Sequence, residues 1–257
     1  MGLHALDPAD APAHGRAHVS ADVGRPRPRD AGAGAVSERI TISDLSNFDR
    51  SFGEVGFRCG PRTGQKRRSK ADMEWYVARR FLKAAINAGR LNVPFIIRQG
   101  NPPTEPDFVL KCKTSLVFLE ITEATCEADQ KEMTAFEASG RPAVLLGEFG
   151  GRFKNGGANP ERAWAGDIID AILRKMGKSI FKASDSDRHL VIYPNSNASS
   201  LICDAEDELS AAQYLKAEIV RMREEIKQAA NGCRIHVLGK ECLFYNVMDE
   251  FAMYKMS

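Results

Sequence analysis

The chain has 257 residues, 43% of them hydrophobic and 27% charged, with a formal net charge of +2. That length holds one large domain or two small ones with a sizeable core, in a composition ordinary for a soluble globular protein. No run approaches the ~20 apolar residues of a membrane span, and a charge this close to zero points to nucleic acid only where it clusters locally.

Six cysteines (Cys59, Cys112, Cys126, Cys203, Cys233 and Cys242) are scattered, with no Cys-x-x-Cys and no paired histidine ligands. This argues against a zinc site or a disulfide scaffold and for reduced, mostly core thiols. Asp, His and Pro interrupt the N-terminus from residue 4 onward, so no secretion signal is expected and the chain reads as cytoplasmic.

Residues 1–38 are rich in Ala, Gly, Pro, Arg, Asp and His without periodicity, and are expected to be a disordered leader that cannot offset its ordering entropy. His14 and His18 share i, i+4 spacing, but Gly15 and the nearby prolines make a metal pair a coincidence. Residues 39–68 are an extension and basic linker. Its apolar residues, Ile40, Ile42, Leu45, Phe48, Phe52, Val55 and Phe57, should pack as short elements onto the domain that follows. A basic run follows, Arg62, Lys66, Arg67, Arg68 and Lys70, crossing from the linker into the domain. Such a run is usually solvated; just before a helix, Lys66, Arg67 and Arg68 are also candidate phosphate contacts.

The domain proper covers 69–257. A helix is predicted over 69–88, with Ser69 and Asp72 at its start and Gly89 as the stop. Met73, Val77, Phe81, Ala84 and Ala88 share one side at roughly 100° per residue; Trp75, Leu82 and Ile86 lie on the other. Glu74 flanks the first side, either as an acid favouring the helix dipole or as a candidate ligand. A strand follows over 93–99, then a Pro-rich loop.

The central stretch is 106–122, two apolar strands (107–111 and 115–122) joined by a polar turn. In the second, alternation puts Leu116, Phe118, Glu120 and Thr122 on one face and Val117, Leu119 and Ile121 on the other. Both faces are largely apolar, so the strand should be central to its sheet. Glu120 is then a carboxylate in a core strand, which costs on the order of several kcal/mol unless it is paired, hydrogen-bonded or metal-bound. Asp107 is its natural companion.

Further on, the pattern predicts a polar helix over 127–139 with Met133 and Phe136 inward, a short strand over 142–146, and a Gly-rich loop over 147–157 carrying Arg152 and Lys154. A strong helix spans 161–182, with Trp164, Ile168, Ala171 and Ile172 as its stripe. Lys175 falls within roughly 20° of Ile168. It either snorkels outward or ends beside a buried carboxylate, while Lys178 belongs to the solvated edge. A strand at 189–194 leads through the polar loop 195–200 to a helix over 204–230. That helix is read with Leu209, Leu215, Ile219, Met222 and Ile226 as one stripe, and it is also a candidate homodimer surface. A closing hairpin, 233–238 and 242–248, turns at Gly239-Lys240. There are no internal repeats and no glycine-rich phosphate fingerprint.

Acids on two adjacent strands, with another on the first helix, suit a hard divalent cation, which takes oxygen ligands and keeps positions open for water and phosphate. The order of elements and the letters Pro106-Asp107, then Glu120-Ile121-Thr122, resemble the PD-(D/E)xK nuclease superfamily over roughly residues 69–195. Glu74 stands where that family's first helix often carries an acid. The resemblance implies an α/β fold with a mixed central sheet flanked by helices (a restriction-endonuclease-like core), Mg²⁺ dependence with Mn²⁺ as an alternative, and phosphodiester hydrolysis, most often of DNA. Asp107 and Glu120 would bind metal with help from Glu74. The family's lysine belongs two residues after Glu120, where this chain has Thr122; in some members it has moved to a neighbouring helix. Lys175 is the first candidate for that catalytic role and Lys131 the second. The alternatives are a catalytically degenerate member that binds DNA or a partner without cutting, and an unrelated α/β protein in which Asp107 caps a turn and Glu120 pairs with a core base.

Overall fold

Strand alternation and two helical crossovers generate one mixed sheet. In the computed structural model, which describes residues 39–52, 70–101, 104–139, 159–176, 187–195 and 197–256, eight strands lie in sequence order across it. β1 (Ile40–Ile42), β2 (Phe95–Gln99), β3 (Phe108–Cys112) and β4 (Leu116–Ala124) form an antiparallel meander. β5 (Asp187–Pro194) and β6 (Arg234–Leu238) continue parallel to β4. β7 (Cys242–Tyr245) and β8 (Ala252–Lys255) return antiparallel. Parallel neighbours need long crossovers. The first contains α3 (Glu127–Ser139) and α4 (Pro160–Met176); the second contains α5 (Asn197–Leu201), α6 (Ala205–Arg221) and α7 (Arg223–Ala230). Two further helices, α1 (Phe48–Phe52) and α2 (Lys70–Asn87), precede β2.

Each face of the sheet carries its own core. Val77, Phe81 and Leu82 of α2 pack with Phe95, Ile97, Leu110, Val117, Leu119 and Ile121. On the other face, Trp164, Ile168 and Ile172 of α4 and Leu215 and Ile219 of α6 pack with Leu190, Ile192, Ile235 and Val237. Adjacent residues of β5 therefore serve opposite cores, Leu190 and Ile192 on one and Val191 on the other, as the two-residue period of a doubly covered strand requires. The α/β class and mixed sheet agree with the sequence expectation. No helix among the described residues is long and apolar enough to cross a membrane.

The structure corrects several details. The helix expected over 204–230 is two helices, broken at Met222, where φ is −106° and ψ is 17°. Leu209 is not in the buried stripe but 46% exposed. The inward set is Glu208, Ala211, Ala212, Leu215 and Ile219, the i, i+3, i+4, i+7, i+11 series, and Leu209 lies about 100° away from its start. Glu208 is drawn inward because its carboxylate accepts backbone N–H bonds from Lys240, Glu241 and Cys242 in the β6–β7 turn. The polar loop after β5 contains α5, and β8 is an unanticipated strand. Of the five described cysteines, all free, only Cys233 and Cys242 are buried. The expectations for 1–38, His14, His18, Cys59, the strand at 142–146, the glycine-rich loop, Lys178, and the side chains of Met133 and Phe136 lie outside what is described.

Candidate acid and lysine site

The β3–β4 ladder runs from Lys111–Leu116 to Phe108–Leu119, and its next rung is made by side chains. Ile121 N–H donates to Asp107 Oδ2 at 2.8 Å, and Asp107 N–H donates to Glu120 Oε2 at 3.2 Å. This reciprocal exchange satisfies two buried backbone donors and locks the carboxylates of adjacent strands side by side. Asp107 and Glu120 are both 8% exposed.

Lys175 answers Glu120 from α4. Its ammonium forms an ion pair with Glu120 Oε1 and reaches the Ile121 carbonyl at 3.5 Å, with 13% and 10% of the two side chains exposed. Of the two orientations open from the sequence, the structure has the inward one. The lysine leaves α4 on the side of its apolar stripe, and its charge ends against the acid in the sheet. An ion pair this buried is costly to assemble and costlier to break, because desolvation of each partner is offset mainly by the other.

Glu74 approaches from α2. It is 7% exposed. Burial first, and the Asp107 charge second, push its carboxyl above the usual carboxylate range, while Lys70 pulls the other way. Lys70, one helical turn earlier, places its ammonium 3.0 Å from Glu74 Oε1, but that side chain is 83% exposed. The two are an ion pair across this distance, with Oε1 buried. That contact adds little stability, since an exposed lysine is well screened.

Lys131, the second lysine candidate, sits elsewhere. It pairs with Glu127 at 2.7 Å along the surface of α3, with 75% and 80% of the two side chains exposed. Lys66, Arg67 and Arg68 lie outside the described residues. The i, i+4 spacing of Lys70 and Glu74 was readable from the sequence, yet Lys70 had been counted with the basic linker. A second buried polar group gave no sequence signal. His236 and His189, on β6 and β5, stack with centroids 4.9 Å apart and share a 3.0 Å Nε2···Nδ1 contact. Asn246 N–H donates to His236 Nδ1 at 3.1 Å, which makes Nε2 the protonated nitrogen of His236. Only the strand register brings these rings together.

The donor set of Glu74, Asp107 and Glu120 is all carboxylate oxygen, the chemistry of Mg²⁺ or Mn²⁺ rather than of softer metals. As placed, no three His, Cys, Asp or Glu side chains among the described residues close around a metal position. Glu120 Oε1 already faces a lysine, so water would have to complete any coordination. No family model, curated protein or solved structure matches this chain.

Proposed function

We propose that this protein is a divalent-metal-dependent nuclease of the PD-(D/E)xK type with a restriction-endonuclease-like core, acting on DNA. The observation that carries the reading is the meeting of Asp107, Glu120 and Lys175 on adjacent elements, with the buried Glu74 close enough to feel the Asp107 charge. Mg²⁺ or Mn²⁺, when bound, supplies a water of lowered pKa and charge to offset that of the scissile phosphate. Asp107 and Glu120 would hold that cation, and Glu74 would offer a third oxygen. Asp107 is kept in place by the Ile121 N–H and Glu120 by Lys175. The Lys175 ammonium takes the role of the lysine that Thr122 displaces: it orients the attacking water and offsets charge as the phosphodiester bond breaks.

The test is incubation of the full chain with supercoiled, linear and single-stranded DNA in Mg²⁺ or Mn²⁺. Cleavage that disappears in Asp107→Asn and Glu120→Gln is expected. A folded protein that cuts none of these with either metal overturns the nuclease. One observation favours a second reading, a degenerate module that binds DNA or a partner: lysines sit against both Glu74 and Glu120. That reading predicts DNA binding with no cleavage and no Mn²⁺ uptake. The outward face of α6, with Leu209, Tyr214 and Val220 exposed, is the homodimer surface of the proposal, and sedimentation of the full chain tests it.

A further inference from the structure

Asp107 is held from outside the acid cluster by the β2–β3 connection. Arg98, near the end of β2, donates from both terminal nitrogens to the two oxygens of Glu105, at 2.7 and 2.6 Å. Asn101 N–H adds a third bond to Glu105 Oε2 at 3.0 Å. A guanidinium and a carboxylate joined in this forked way have a fixed mutual orientation, which a single contact would not impose. Gly100 N–H donates to the Asp107 carbonyl at 2.9 Å, extending the β2–β3 ladder one step beyond Gln99–Phe108. A Cβ at Gly100 would overlap the Pro106 carbonyl oxygen, so only glycine allows the chain to pass this close.

We propose that Arg98, Glu105 and Gly100 form a clasp that positions the Asp107 carboxylate, Arg98 and Glu105 acting as positioning residues for the acid site. Its role in metal binding rests on the nuclease reading above; its role in placing Asp107 does not. The Arg98 and Glu105 side chains are 34% and 30% exposed, so the ion pair adds little stability by itself. What it does is local: Glu105 is anchored to β2 two residues before Asp107, and the intervening Pro106 has a fixed φ. The carboxylate thus reaches the Ile121 amide from a braced backbone. Groups that orient a ligand in this way commonly change metal affinity by about 10–100-fold when removed.

The test uses the full chain with Arg98→Gln, Glu105→Gln and the reversed pair R98E/E105R. The first measurement is amide exchange without metal, because the Ile121 N–H is held by the Asp107 side chain and not by the β3 backbone. Both single variants should exchange Ile121 about tenfold faster, with Val117 and Leu119 unchanged, and the reversed pair should restore protection. The second measurement is Mn²⁺ affinity, with Asp107→Asn as control. Both single variants should bind about tenfold more weakly or worse. Charge alone predicts opposite signs, since removing Arg98 would strengthen cation binding and removing Glu105 would weaken it. Unchanged Ile121 exchange in both variants, or Mn²⁺ shifts of opposite sign, overturns the clasp. If the wild-type chain binds no Mn²⁺, the metal reading fails and Ile121 exchange alone decides.

Discussion

Replacing Lys175 by Met keeps an unbranched, largely apolar side chain and deletes the ammonium. Glu120 would then keep one hydrogen bond, the 3.2 Å contact from Asp107 N–H, in a position where 10% of its side chain meets solvent. Removing one partner of a buried ion pair leaves an uncompensated charge, at about 3–5 kcal/mol. The lower end applies, because the remaining hydrogen bond relieves part of the charge. A loss of about 3 kcal/mol corresponds to about 6–12 °C in Tm for a domain of this size. The measurement is urea denaturation at pH 7 of wild type, K175M, E120Q and K175M/E120Q. The double variant removes both charges and should recover most of the loss, giving a coupling of about 2 kcal/mol or more. A K175M loss below about 1 kcal/mol, the scale of exposed pairs, refutes the assignment of a buried pair. So does a double variant whose loss equals the sum of the singles.

Glu74→Gln tests the raised carboxyl on α2. Burial and the Asp107 charge raise its folded pKa above the ordinary 4.5, so the folded state binds this proton more tightly than the unfolded chain. The penalty is absent below pH 4.5, grows as pH rises through the raised value and is complete above it. Glu74→Gln should therefore be more stable than wild type at pH 7 and indistinguishable at pH 4 in urea titrations; a constant offset across that range contradicts it. His236→Gln tests the opposite sign. Burial first, then the charges of His189 and Arg234, hold the His236 pKa well below its ordinary 6.5, so the unfolded chain binds the extra proton. Stability is full above pH 6.5 and declines as pH falls toward the lowered value. Denaturation between pH 7.5 and 5 should show a shallower decline in the variant than in wild type, and equal slopes would exclude His236 as the source.

Glu120 and Asp107 were legible because a carboxylate inside an apolar strand violates the burial pattern around it, and such a violation needs a partner wherever the strand lies. Lys175 was legible for the same reason, as a charge on the axis of the α4 stripe. The sequence left open which way that lysine turned, since both snorkelling and pairing satisfy helical periodicity. Leu209 was misplaced because it was grouped with Leu215 and Ile219, although six residues along the same helix turn it about 120° away from Leu215. Glu208, an acid that reads as surface, is in fact inside, held by three N–H groups more than thirty residues away in the chain.

By itself the sequence specified periodicities: the central strand with its acid, helices with one apolar side, and the closing hairpin. These depend on neighbours within a few residues, so composition and spacing carry them. The tertiary structure alone decided which polar groups meet. The Asp107–Ile121 bond spans fourteen residues, the Lys175–Glu120 pair 55 positions (175 − 120) and the His189–His236 contact 47. Such meetings are set by strand register and helix placement, where a one-residue slip would turn each of these side chains to the opposite face. The acid cluster belongs to both levels. Its members stand out in the chain, but their bonding to one another, to Lys175 and to the β2–β3 clasp exists only in the fold.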